Sequence, residues 1–319
     1  MIKDTKGKDY MMNDVTVMIS FDKAVGKFKC SINGQKFTTT KQQYIEYMYK
    51  QITGEKKTFK QIEAMQKPAV SEKFGINERF GFVEKIVGMV ATGVQPSTII
   101  TGQGGLGKTY TVMKTLQANG LKDYNEEVQR LPAGSVINMK SLYVTVKGYS
   151  TPKGLYRTLF ENQNATIVFD DCDSILKDPV ALNLLKGALD SYGKRIISWN
   201  AESFGRDDDL PRSFEFKGRV VFISNMDQDK IDQAIRSRSM MIDLSMTDEQ
   251  KIDRMEHIAA SDEFMPEYDA EIKADALALI REVKDEAKEI SLRTLISVAK
   301  IRAANPADYK DLATYILTN

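Results

Sequence analysis

Eight consecutive residues carry the clearest chemistry in this chain. Gly102-Gln103-Gly104-Gly105-Leu106-Gly107-Lys108-Thr109 fits G-x-x-x-x-G-K-[ST] without a gap. Glycines at these spacings let backbone N–H groups turn inward around an anion, and a following helix adds the positive end of its dipole. In such a loop Lys108 reaches the β- and γ-phosphates of a nucleoside triphosphate, and the Thr109 hydroxyl is an oxygen ligand for Mg²⁺. The expected ligands are therefore ATP and Mg²⁺. Gly102, Gly104, Gly105, Leu106, Gly107, Lys108, Thr109 and Tyr110 are the residues expected to touch the nucleotide.

A second group of acids lies downstream. Thr166-Ile-Val-Phe-Asp170-Asp171 is an apolar run ending in two carboxylates, with Asp173 close behind. A buried strand of this kind delivers its acids to the carboxyl edge of a sheet, where a phosphate loop also lies. Asp170 is expected to orient Mg²⁺ and Asp171 to polarise the attacking water. Asp173 competes with Asp171 for that second role.

The elements that must hold these residues can be read from hydrophobic period and punctuation. Residues 1–70 form a lead-in, with strands expected at 15–20, 27–32 and 35–38, a hairpin turn at Asn33-Gly34, and a helix capped by Thr40. The Lys-rich stretch KKTFKQIEAMQKPAV reads as a linker. Residues 71–246 alternate apolar strands with helices. A helix is expected over 78–92, and one from Lys108 to Gln117. Strands are expected at 97–101, 141–146, 166–169, 219–224 and 242–244. Strands separated by helices imply a parallel sheet covered on both faces. Residues 247–319 read as helical, with helices at 248–259, 270–289 and 291–303. The fold class is α/β: a phosphate-loop parallel sheet flanked by helices, a C-terminal helical lid and a small N-terminal β-hairpin and helix.

This order of motifs resembles the AAA+ superfamily of ATPases over roughly residues 75–303. The strand RVVFISN ends at Asn225, which matches the polar sensor-1 residue of that family. DQAIRSRSMMIDL resembles its "SR" box, which makes Arg238 the arginine finger acting on ATP held by a neighbouring subunit, with Arg236 as competitor. Ser291-Leu292-Arg293 resembles sensor 2, whose arginine meets the γ-phosphate within the same subunit. The resemblance implies a core in the AAA+ pattern and a homo-oligomer, a hexameric ring. It implies ATP hydrolysis at subunit interfaces, coupled to the remodelling or translocation of a macromolecule. Two departures stand out. The stretch between Val144 and Asp170 is shorter than in the protein-unfolding branches, and the acidic pair is Asp-Asp rather than Asp-Glu. Asp-Asp resembles the replication-initiator and helicase-loader branches, and the "SR" turn resembles clamp loaders and a branch-migration motor, so DNA is favoured over protein as client. The compact plan is also similar to ATPases of tailed bacteriophages.

In a ring, the 147–154 loop (KGYSTPKG) would face the channel, with Tyr149 gripping a peptide or stacking on a base and Lys147 and Lys153 touching phosphates. An ordinary Gly/Pro turn with solvated lysines accounts for the same residues. An alternative to the motor is an ATP-dependent switch or loader that recruits a partner and hydrolyses slowly. A small-molecule kinase gives Asn225, the "SR" turn and the helical tail no role.

Composition removes other classes. In 319 residues, 45 Lys and Arg balance 44 Asp and Glu, for a net charge of +1 and no global pull toward polyanions. The one histidine, His257, argues against a histidine metal site or a Ser-His-Asp triad. Cys30 and Cys172 are in no metal-ligand spacing, which fits a reduced cytoplasm, that of the host if the chain is phage-encoded. No apolar run approaches the ~18 residues of a membrane span, so no membrane partner is expected.

Overall fold

The computed structural model describes residues 73–319 except 133, 191–192 and 201–208, the backbone of five N-terminal strands, and positions 43, 46, 50, 54, 56 and 58. The chain divides into two compact units, Met1–Val70 and Ser71–Asn319.

In the first unit, β1 (Ile2–Lys3) pairs antiparallel with β2 (Asp9–Tyr10). Strands β3 (Val17–Asp22), β4 (Lys27–Ile32) and β5 (Gln35–Thr39) form an antiparallel sheet in that order. Phe21 pairs with Phe28 and Cys30 with Phe37. The two-residue period of a strand then collects Val17, Ile19, Phe21, Phe28, Cys30, Ile32 and Phe37 at positions of one face. The first of these strands starts two residues later than the 15–20 expected. Gln43, Glu46 and Lys50 are helical, and the Gly54 amide donates to the Lys50 carbonyl. The Asn33-Gly34 turn, the Thr40 cap and most of the Lys-rich stretch lie outside the described residues.

The second unit is built on a six-stranded sheet. Its strands are β6 (Ser97–Thr101), β7 (Lys122–Asp123), β8 (Leu142–Lys147), β9 (Thr166–Asp170), β12 (Arg219–Ile223) and β13 (Met240–Asp243). All their pairings are parallel, in the order β13-β6-β12-β9-β8-β7. The runs STIIT and TIVFD are buried at every position, as a sheet covered on both faces demands. Alternate residues go to opposite cores. Ile100, Val168, Val221 and Ile242 pack with helices α1 (Ile76–Ala91) and α2 (Lys108–Ala118). Ile99, Ile167, Phe169 and Phe222 pack with α4 (Pro152–Glu161) and α5 (Pro179–Ala188), and Phe169 stacks on Phe222 at 5.0 Å. Helix α3 (Tyr124–Arg130) follows β7 at the sheet edge. Strands β10 (Ile196–Ser198) and β11 (Ser213–Glu215) form a separate antiparallel pair, and Trp199 beside it packs on Tyr156 at 5.8 Å between ring centroids.

After the short helix α6 (Gln233–Arg236) and β13, four helices complete the chain: α7 (Asp248–Ala259), α8 (Ala270–Glu282), α9 (Leu292–Ala304) and α10 (Tyr309–Thr318). Two expected boundaries shift. Strand β13 spans 240–243 rather than 242–244, because Met240 pairs with Thr98 and Asp243 with Thr101. Helix α8 ends seven residues before 289. Val283 O accepts both the Glu286 and Ala287 amides, and the Lys288 amide is drawn away to Leu317 O.

The chain leaves β6 for the far edge at β7 and β8, returns through β9 and β12, and passes to the other side of β6 for β13. The carboxyl end of β6 is thus a topological switch point, where open α/β sheets form their ligand crevice. No helix among the described residues is long and apolar enough to cross a membrane.

Candidate functional site

The 102–107 loop connects β6 to α2 at that switch point. Its backbone needs glycine. Gly102 (φ 133°) runs so close to Leu244 that a Cβ would sit 2.7 Å from the Leu244 carbonyl carbon, and Gly105 and Gly107 also have positive φ. Leu106 is buried beneath the loop.

Lys108, the first residue of α2, is 5% exposed. Its ammonium donates to Gly102 O at 2.7 Å, Gln103 O at 2.6 Å and Asn225 Oδ1 at 3.0 Å. Burial pushes the amine down to about 8, against the opposing pull of Asp171, Asp170 and Asp173.

Because β12 lies between β6 and β9, the residues just beyond its end can touch both neighbours. Asn225 uses this position. Its Oδ1 faces the Lys108 ammonium, and its Nδ2 donates to Asp171 Oδ1 at 2.7 Å. The amide is oriented by its partners, since only its oxygen can accept from Lys and only its nitrogen can donate to a carboxylate. Asp171 itself has φ 56°, a conformation uncommon outside glycine, and its amide donates to Ile223 O. The two candidate bases are thereby separated by their contacts. Asp173 accepts from Ser224 Oγ at 2.6 Å, in a turn that also ties the Met226 amide.

Asp170 is buried at the end of β9. Its Oδ1 accepts from Thr109 Oγ1 at 3.0 Å, and its Oδ2 pairs with Lys147 Nζ at 3.0 Å. Lys147, expected in the 147–154 loop, lies on the last position of β8, and its exposed side chain reaches a buried carboxylate. Lys153 is also not a loop residue. It lies in the first turn of α4, which Thr151 caps and Pro152 opens. Tyr149 is 81% exposed. Cys172 is buried between these acids, and burial pushes its thiol up to about 11, which leaves it inert as a nucleophile.

The donor set suits Mg²⁺: a hydroxyl and a carboxylate, both hard oxygens, side by side next to a glycine loop. No group of three or more His, Cys, Asp or Glu that could hold a metal occurs among the described residues.

The C-terminal helices close on the loop from above. The Leu292 amide donates to Gly105 O at 2.8 Å, and a Cβ on Gly105 would lie 3.0 Å from Ser291 Cβ. Ser291 caps α9 in a capping box with Thr294. Arg293 follows directly and is exposed. Behind the loop, a cleft of about 840 Å³ is walled by Gly107, Tyr110, Ile258, Leu292, Ile296 and Arg254 among others. At its margin Tyr110 Oη donates to Glu263 Oε2 at 2.7 Å, and Lys114 pairs with the same oxygen.

Arg238 and Arg236 lie at the opposite edge of the sheet. Ser97, the first residue of β6, donates to Arg238 O, whereas the glycine loop follows Thr101. The five residues between correspond to about 16 Å of strand. The Arg238 guanidinium donates to Ala234 O at 2.9 Å, and both arginines have a buried Nε without a hydrogen-bond partner. The structure thus brings Gly102 through Tyr110, Asp170, Asp171, Asn225 and the start of α9 together, and leaves Arg238 and Arg236 away from them.

Sequence reading missed the pairing of Lys147 with Asp170, the place of Glu263, and the contact of Ser291 and Leu292 with the loop. No spacing rule links them to it, because each reaches the site through the tertiary arrangement of sheet or helices.

The chain is similar to a bacteriophage protein. That relative, named "Uncharacterized 36.7 kDa protein in nrdC-mobD intergenic region" of Enterobacteria phage T4, is 29% identical over 269 residues, covering 79% of this chain and 78% of its own. The likeness supports a phage origin. No family model matches the chain.

Proposed function

We propose that this protein is an ATP hydrolase of the AAA+ type, which binds ATP with Mg²⁺ and hydrolyses it at the interface between subunits of a ring. The observation that carries the proposal is the relay Lys108–Asn225–Asp171 beside the Thr109–Asp170 pair. It gathers an amine, an amide bridge, two carboxylates and a hydroxyl around one glycine loop, the groups that phosphate binding, water activation and Mg²⁺ ligation call for.

In this reading the loop amides and Lys108 bind the β- and γ-phosphates, and the adenosine occupies the cleft beside Tyr110, Ile258 and Leu292. Mg²⁺, held by Thr109 and Asp170, would neutralise phosphate charge and orient the leaving group. Asp171 takes a proton from the attacking water while Asn225 holds that water and the carboxylate in line. Arg293 meets the γ-phosphate from the start of α9. Arg238, too far from the loop of its own subunit, serves the site of the next one, where a planar guanidinium stabilises charge on the transferring phosphate. The client is a macromolecule, DNA rather than protein, in replication, recombination or packaging.

The test is ATPase activity against protein concentration, with and without single- and double-stranded DNA, for wild type, Arg238→Ala, Asp171→Asn and an equal mixture of the two variants. Specific activity that rises with concentration, two dead variants and an active mixture support a shared site. A flat rate and a fully active Arg238→Ala overturn it. A second reading, a slow nucleotide switch, is favoured by the bond from Asn225 to Asp171, which occupies a carboxylate oxygen that an attacking water would use. Tight stoichiometric ATP binding with negligible turnover selects that reading.

A further inference from the structure

Asp170 has two carboxylate oxygens, and both are engaged by the protein. Oδ1 accepts from Thr109, and Oδ2 is paired with Lys147. The pairing with Lys147 is fixed by the sheet, because Lys147 and Asp170 are direct partners in the register of β8 and β9. The two ends of the ion pair differ. The Asp170 side chain is 6% exposed, whereas that of Lys147 is 64% exposed. Lys147 therefore reaches from solvent to neutralise a buried carboxylate and can return to water at little desolvation cost.

We infer that Lys147 is a displaceable counter-ion of Asp170, through which metal loading at the Thr109–Asp170 pair is transmitted to the Tyr149 loop. The inference rests on the nucleotide reading above. A divalent cation beside Oδ1 and the Lys147 ammonium on Oδ2 are like charges sharing one carboxylate, so taking the cation weakens the hold of Lys147 on Oδ2 and favours its return to water. The consequence falls on the next three residues. Gly148 has φ 88° and open space around it. Tyr149 is solvent-exposed, and Ser150 precedes the Thr151 cap of α4. Residues 148–150 are a short span between a paired strand end and a capped helix start. Release removes the side-chain tie at the strand-side end of that span while the backbone of Lys147 stays paired with Asp170, so the change is confined to residues 148–150, and Tyr149 reports whether the site carries metal and nucleotide.

The experiment uses the full chain with a non-hydrolysable ATP analogue. Mg²⁺ is titrated against analogue binding for wild type, Lys147→Met, Lys147→Gln and Lys147→Arg. In parallel, chymotryptic cleavage after Tyr149 is timed with and without Mg²⁺ and analogue, and the fragment is identified by mass. Removing the competing charge in Lys147→Met and Lys147→Gln is expected to lower the Mg²⁺ concentration for half-binding by about tenfold. Lys147→Arg, which keeps the charge, is expected to stay within about twofold of wild type. Cleavage after Tyr149 is expected to accelerate severalfold in wild type on loading. In the two uncharged variants it is expected to be fast whether or not Mg²⁺ is present. Lys147→Gln retains a hydrogen-bond donor for Asp170 and serves if Lys147→Met does not fold. An unchanged Mg²⁺ requirement in the uncharged variants, or a Tyr149 cleavage rate indifferent to loading, overturns the coupling while leaving the nucleotide reading intact. Wild type that binds no analogue at any Mg²⁺ concentration overturns the nucleotide reading itself.

Discussion

Asn225 donates its side-chain amide to Asp171 at 2.7 Å, from just beyond the end of a strand that lies between the glycine-loop strand and the acidic strand. Its other end accepts from Lys108. One short side chain thus ties the phosphate-binding amine to the candidate base. Asn225→Ala removes both bonds. On the proposed function, turnover is expected to fall about 10²-fold with the loss of the bond that orients Asp171, while the KM for ATP changes only a few-fold, because Lys108 keeps its bonds to Gly102 O and Gln103 O. Asp171→Asn is expected to abolish turnover at unchanged melting temperature, since Asn tolerates the positive φ that Asp171 adopts. Asp171→Ala at the same position should cost about 1 kcal/mol of stability. Steady-state rates and thermal melts of the three variants check this. An Asn225→Ala enzyme with normal turnover rules out the relay.

The Lys108 amine gives a pH signature. Its ordinary value of 10.5 is lowered to about 8 by burial, so above pH 8 the folded protein has released a proton that the unfolded chain still holds. Between pH 8 and 10.5 this group therefore adds stability as pH rises, and below pH 8 its buried charge is a standing cost. ATP reverses the preference, because phosphate charge favours the ammonium. Binding above pH 8 must then take up a proton, and affinity should fall by up to about tenfold per pH unit in that range. Calorimetry in buffers of different ionisation enthalpy measures the uptake. Lys108→Arg, which stays charged, should flatten the profile.

Two loop glycines should respond differently to alanine. At Gly102 the backbone lies at φ 133°, and the added Cβ would meet the Leu244 backbone at 2.7 Å, which cannot move aside as a side chain could. Gly102→Ala is expected to cost about 3 kcal/mol. Gly104 lacks a positive φ, and its added Cβ would meet Asn225 Oδ1 at an ordinary 3.6 Å. Gly104→Ala should leave stability within about 0.5 kcal/mol of wild type. Denaturant melts of both variants decide the comparison, and equal losses would contradict the backbone account.

The contrast between these glycines also marks what could be read in advance. Gly102 through Thr109, Asp170 and Asn225 were legible because each sits at the end of a buried apolar run, and a parallel sheet sends all such ends to one edge. Lys147 was misread because its partner is set by which strand lies beside β8, and that order is not written in local pattern. Helix α8 was overextended because Lys284 to Lys288 are mostly helix formers, whereas the Lys288 amide is claimed by Leu317 O. Helix α10 fell within the stretch read as helical but was given no bounds of its own, and Leu312, Tyr315 and Ile316 are exposed along it.

On the proposed function, Arg293 and Arg238 would separate what one subunit does alone from what a neighbour supplies. Arg293 follows Leu292, whose amide is bonded to Gly105 O, so it stands next to the loop of its own chain. Arg238 sits beside Ser97, a strand's length of about 16 Å from that loop. At protein concentrations low enough to keep subunits apart, Arg293→Ala should weaken ATP binding several-fold, and Arg238→Ala should leave it unchanged. At high concentration Arg238→Ala should lose turnover by about 10³-fold, as removal of a phosphate-directed arginine does elsewhere. Arg238→Lys should not restore it, since an ammonium lacks the planar fork that spans two phosphate oxygens. Fluorescent-nucleotide titration at low concentration and ATPase assays at high concentration read the two effects separately. Weakened binding in isolated Arg238→Ala subunits would mean that this arginine acts through its own fold, through its bond to Ala234 O, and not on a neighbour.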